Sequence, residues 1–158
     1  MTRQTGTTVA ALMLAGAAAV AEQQGPLLQV TGRIDGGTVS LDRTALEALP
    51  VTTLETTTVV TDGTHRFTGF LMRDLLDRLG AGGDHVSALA LNDYAVDIPM
   101  ADFYDYDVVV AYRMDGKALH RADKGPLWIV YPRDDHAVLQ DIRYDYRWVW
   151  QLYQLDVR

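Results

Sequence analysis

The sequence predicts an α+β domain in which short strands outnumber helices. β-branched and aromatic residues gather in brief runs bounded by Gly, Pro and Asp turn signals, and only two segments carry apolar residues at helical spacing. With 158 residues and 48% hydrophobic composition, the chain suits one domain with its own core.

The elements follow in order. Arg3 gives a positive start, Thr8 to Val20 is an apolar run and Ala19-Val20-Ala21 fits a small-x-small cleavage site. Residues 1–21 therefore read as a secretory signal peptide and 22–158 as the domain, which implies export to the periplasm. The run falls short of the ~20 apolar residues that cross a bilayer. Leu27 to Ile34 is a strand, Asp35-Gly36-Gly37 turns the chain, and Val39 to Leu41 returns it. Asp42 caps a short helix over Ala45–Leu49, which Pro50 ends. Thr52 to Val60, dense in Thr and Val, is a strand that turns at Thr61–Thr64 into a second strand, His65 to Phe70.

Leu71, Leu75, Leu76 and Leu79 share one helix face that stops at Gly80. Val86 to Ile98 reads as strand, turn, strand around Asn92-Asp93, with Pro99 closing it, and Ala101 to Phe103 as a helical turn. Asp107 to Met114 is a strand ending at Asp115-Gly116, and Lys117 to Lys124 a loop. Leu127 to Tyr131 is a buried strand, and Trp148 to Val157 a closing one that continues the Tyr144-x-Tyr146-x-Trp148-x-Trp150 alternation. That alternation puts four aromatics on one face, as core or as a partner surface.

Composition narrows the function. A net charge of −7 without a Lys/Arg cluster disfavours nucleic acid and anionic lipid. The absence of cysteine excludes disulfides, thiol catalysis and Cys-based zinc sites. His65, His85, His120 and His136 are scattered, and Asp134-Asp135-His136 reads more simply as a solvated acidic turn than as metal ligands. The only serines, Ser40 and Ser87, sit in no Gly-x-Ser-x-Gly elbow.

Three blocks remain: Phe67-Thr68-Gly69-Phe70-Leu71-x-x-Asp74-Leu75-Leu76, Leu91-Asn92-Asp93-Tyr94, and Gly125-Pro126-Leu127-Trp128-Ile129-Val130-Tyr131-Pro132. Together they make Val30 to Val157 resemble the sulfite-oxidase-like molybdopterin-binding domain family. The likeness is greatest to exported stand-alone pterin-binding regulators that lack the cysteine ligand of molybdenum. It implies a single-domain fold of mixed and antiparallel sheets with a few short helices. It implies a pterin ligand, reduced pterin among the candidates, and no molybdenum. It also implies a partner, the periplasmic part of a membrane protein that makes or degrades cyclic di-GMP. The family's enzymes imply the alternative, a molybdenum-dependent oxidoreductase.

For the site, Trp128 and Tyr131 are either a stacking platform for a flat ring or the core of their strand. Asn92, Asp93 and Tyr94 either shape a turn or accept the amino and ring N–H donors of a pterin edge, Asp93 foremost. Arg133 stands either for the phosphate-holding arginines of the molybdenum enzymes or for a salt bridge to nearby aspartates, and Arg73 for a surface charge.

Overall fold

The computed structural model describes residues 25–158; the expected signal peptide lies outside the described residues. Among the described residues, ten strands form two sheets. In the first, β1 (Leu28–Gly32), β2 (Thr38–Leu41), β5 (His85–Ala90), β6 (Ala95–Pro99) and β10 (Leu152–Val157) run in the order β2-β1-β10-β5-β6. The β1–β10 pair is parallel and its other pairs are antiparallel. In the second, β3 (Val51–Thr57), β4 (Thr64–Leu71), β7 (Val109–Met114) and β8 (Lys117–Ala118) lie in chain order, and β9 (Trp128–Val130) pairs with β7. All its pairs are antiparallel. The helices of the described residues are short: α1 (Arg43–Glu47), α2 (Met72–Arg78), α3 (Asp102–Asp105) and two 3₁₀ helices, Ala137–Gln140 and Ile142–Arg147. The expected α+β arrangement is present, built largely of antiparallel sheet.

Local chemistry explains most boundaries. Asp42 caps α1 by accepting the Ala45 N–H at 2.8 Å. On α2, Met72, Leu75 and Leu76 are buried, while Leu71 precedes the helix and Leu79 ends it. The strand expected to reach Val60 stops at Thr57, because the Thr58 hydroxyl accepts the N–H groups of Val60 and Thr61 and so removes them from the ladder. The closing strand begins at Leu152 rather than Trp148. Upstream, Asp141 accepts the Arg143 N–H and winds Ile142–Arg147 into a 3₁₀ helix, so Tyr144 to Trp150 do not share a strand face.

The core lies between the sheets, with Phe67, Phe70, Val110, Trp128 and Ile129 from one and Leu28, Val86, Ala88 and Leu155 from the other. Backbone bonds on both sides of Leu127–Val130 join the two. Val109 and Ala111 of β7 pair with Val130 and Trp128 on one side. On the other, the Ile129 N–H donates to Val149 and the Leu152 N–H to Leu127, at 2.8 and 3.0 Å. Two glycines of the sequence motifs allow this packing. A Cβ on Gly69 would lie 1.9 Å from the Val110 carbonyl oxygen, and one on Gly125 would lie 2.4 Å from the Leu119 carbonyl.

At the outer end of β4, His65 places Nδ1 2.7 Å from an Asp115 carboxylate oxygen and Nε2 2.9 Å from the Asp62 carbonyl. Both partners accept, so the imidazolium satisfies both. The Asp115 hydrogen bond raises the His65 pKa above 6.5, against a smaller opposing effect of burial.

Two measurements test these points. Gly69→Ala, forced against backbone, should lower unfolding stability by about 3 kcal/mol or more in urea titrations. The His65 contribution is complete below its unfolded pKa of 6.5 and is lost as pH rises through the higher folded value. The melting temperature should therefore fall between about pH 6 and pH 8, and His65→Gln should flatten that part of the profile.

Candidate functional site

Where the β5–β6 turn, the loop after β3 and the segment leading into β10 converge, they leave a cleft of about 350 Å³. Ala90, Asn92 and Tyr94 line it from the turn, Val59 and Val60 from the loop, and Asp145, Tyr146, Trp148 and Trp150 from the C-terminal segment. Each wall has a local cause. The Asn92 side-chain oxygen accepts the Tyr94 N–H at 3.2 Å while Asp93 takes a φ of +65°, a conformation Asp tolerates better than most residues. The Thr58 hydroxyl folds the loop that carries Val59 and Val60. The Tyr94 hydroxyl donates to the Tyr146 carbonyl at 2.6 Å and ties the turn to the 3₁₀ helix. Burial, then the neighbouring Tyr146, raises the Tyr94 pKa, which keeps that hydroxyl a donor.

Beneath the 3₁₀ helix lies a buried ionic knot. The Asp102 carboxylate on α3 accepts the Tyr131 hydroxyl at 2.8 Å and the Arg147 guanidinium. That guanidinium also lies against the rings of Tyr144 and Tyr146, 4.5 and 5.4 Å from their centroids. Burial, followed by the Asp102 charge, holds the Tyr131 phenol well above its usual pKa, so it stays a neutral donor. Outside the knot, Arg143 hydrogen bonds pull the Asp141 carboxyl down to about 2.

The electrostatics of the cleft are one-sided. Its lining includes one carboxylate, Asp145, and no Lys, Arg or His. Two lining residues carry buried polar atoms without a hydrogen-bond partner among the described residues: one Asp145 carboxylate oxygen and the Trp148 indole N–H. Such atoms cost about 1–3 kcal/mol each when left unpaired.

The residues singled out in the sequence divide into two groups. Asn92 and Tyr94 line the cleft, whereas Asp93 occupies the exposed apex of its turn outside the lining. Trp128 and Tyr131 are both 0% exposed, which is the core reading of their strand and leaves no ring face for a ligand. Trp128 packs edge-on against Phe67 at a centroid distance of 5.3 Å. Arg133 points its guanidinium at the Thr57 hydroxyl, 3.4 Å away, and takes no part in the lining. Arg73 pairs with Asp107. The residues the sequence reading passed over are Val59, Val60, Asp145, Tyr146, Trp148 and Trp150. For the last three, the aromatic density of Tyr144 to Trp150 was the signal, read there as core or partner surface.

Comparison with known families adds the decisive observation: the oxidoreductase molybdopterin-binding domain model matches residues 28–134. The chain belongs to that family. Among solved structures, this molybdopterin-binding-type domain is similar to the sulfane dehydrogenase SoxCD from Paracoccus pantotrophus, at 18% identity and a TM-score of 0.63. The superposition covers 82% of this chain and 37% of that one, so the likeness is one of fold and spans about a third of the larger protein. No curated protein sequence matches the chain. The fold is thus the sulfite-oxidase-like one. The matched region contains the turn and loop walls of the cleft, and the wall from Asp145 to Trp150 follows it.

The ionic knot is testable by a single atom. Tyr131→Phe removes one donor to a buried carboxylate and should lower stability by about 1–3 kcal/mol in chemical denaturation. An unchanged midpoint would mean that Arg147 alone satisfies Asp102.

Proposed function

We propose that this domain binds a pterin-type ring in the cleft between Tyr94 and Trp150, as an exported binding protein rather than a catalyst. The observation that carries the reading is the lining itself, in which the exposed Tyr94 and Tyr146 and the half-buried Trp150, backed by the buried Trp148, border a space suited to a flat heteroaromatic ring. Aromatic rings hold such a ligand by offset or edge-on packing, with no need for a charge. The unpaired atoms fit as well. A pterin edge offers amino and ring N–H donors next to a carbonyl acceptor, the complement of the Asp145 oxygen and the Trp148 N–H.

The metal fits less well. The chain has no cysteine to bond molybdenum, and among the described residues no group of three His, Asp or Glu side chains is placed to hold a metal. The pterin of a molybdenum cofactor supplies dithiolene sulfurs to the metal and can carry redox chemistry there. This chain's own residues, Tyr94, Asn92, Asp145 and Trp148, would bind and orient the ring only. The signal-like residues 1–21 support a periplasmic location, and the resemblance to pterin-binding regulators supports a partner in the periplasmic part of a membrane protein that turns over cyclic di-GMP.

Titrating the purified chain with reduced pterins should quench the fluorescence of Trp148 and Trp150 and release heat in calorimetry. Trp150→Ala should weaken binding by about 1–3 kcal/mol, while Trp128→Phe, deep in the core, should leave affinity unchanged. Absence of heat and quenching at millimolar pterin would remove the reading. Stoichiometric molybdenum, found by elemental analysis of protein taken from its native host, would restore the oxidoreductase alternative.

A further inference from the structure

From the charge of the cleft we infer that it selects a pterin without its phosphate, and so discriminates against the phosphorylated pterin of the molybdenum cofactor. This inference rests on the pterin reading above and adds the class of ligand. A phosphate ester near neutral pH carries up to two negative charges and three strong acceptor oxygens, which a binding site meets with guanidinium, ammonium or a set of free backbone N–H groups. The cleft offers none of the side-chain cations. Its lining holds no Lys, Arg or His, and its single ionisable carboxylate, Asp145, has the same sign as the phosphate.

The nearest arginine in sequence to the lining does not compensate. Arg147 is bound to Asp102 beneath the 3₁₀ helix and covered by the Tyr144 and Tyr146 rings. Freeing it would leave Asp102, a buried carboxylate, with only the Tyr131 hydroxyl as donor. Arg143, the other cation of this segment, is 78% exposed and clamped on Asp141 through two hydrogen bonds of 2.9 Å. On the loop wall, the Val60 N–H is committed to the Thr58 hydroxyl, as is that of the following Thr61. On the turn, the Tyr94 N–H donates to Asn92 and the Asp93 N–H to Ala90. A phosphate placed here would exchange water for apolar side chains and a like charge. The sulfite-oxidase-like scaffold therefore carries, in this chain, a cleft for the ring and not for the anionic tail.

The test uses a matched pair, dihydroneopterin and its 3′-monophosphate, titrated into the full-length chain by calorimetry and tryptophan fluorescence at low ionic strength. The parent alcohol should bind at least about tenfold tighter than the phosphate ester, and the gap should shrink as salt rises. Asp145→Asn should narrow the gap by weakening the repulsion. Val60→Lys should narrow it further, because Val60 is 41% exposed at the cleft and a lysine there adds a cation without disturbing the core. Equal or tighter binding of the phosphate ester by the wild-type chain overturns the inference while leaving the pterin reading intact. A gap that neither variant changes overturns the assignment of selectivity to the charge of this cleft. If neither ligand binds, the pterin reading fails, and the inference fails with it.

Discussion

Everything in this molecule depends on the Leu127–Val130 backbone being hydrogen-bonded on both sides. A strand held on one side only would leave β7 and the C-terminal segment in separate layers. Here β7 occupies one side, and Val149 and Leu152 take the other. Buried N–H and C=O groups must be paired, so this segment can be fully internal only because two distant parts of the chain meet it. Its side chains are consequently apolar and packed, and Trp128 becomes structural ballast for Phe67. The same pairing bridges Trp128 to Trp150, which lines the cleft with Trp148.

The Asp102 knot does for the short helices what that strand does for the sheets. A carboxylate 7% exposed is costly alone, but here it is shared between a phenol from β9's C-terminal end and a guanidinium from the 3₁₀ helix. It thereby joins α3, the end of the buried strand and the aromatic wall. The 3₁₀ helix buries no side chain of its own. Its position comes from this ion pair, from the Tyr94 hydroxyl and from the Asp141 cap.

Much of the fold was legible because its signals are local. Asp42 as a cap, Pro50 as a stop, the Asp115-Gly116 turn and the Leu75–Leu76 face all act within a few residues of where they are read. The site was less legible for the opposite reason. Whether Trp128 is wall or core is decided by Ala111 and Trp150, which pair with it from about twenty residues away in sequence. Period-two spacing from Tyr144 to Trp150 imitates a strand, yet one Asp141 oxygen diverts the chain into a 3₁₀ helix and turns those aromatics toward the β5–β6 turn. Asn92 and Tyr94 line the cleft because a turn between two apolar strands exposes side chains wherever it lies.

The two walls of the cleft stand differently toward the family. Val59, Val60, Asn92 and Tyr94 lie inside the region shared with the molybdopterin-binding family, whereas Asp145, Tyr146, Trp148 and Trp150 come after it. Exchanging Asp145–Trp150 would therefore rewrite half of the recognition surface and disturb the sheets together, since Val149 accepts the Ile129 N–H, Trp150 bridges Trp128 and Arg147 pairs with Asp102. On this wall, folding and recognition share one stretch of chain, and the side chains free to vary at little cost to the core are the exposed ones, Val59, Val60 and Tyr146.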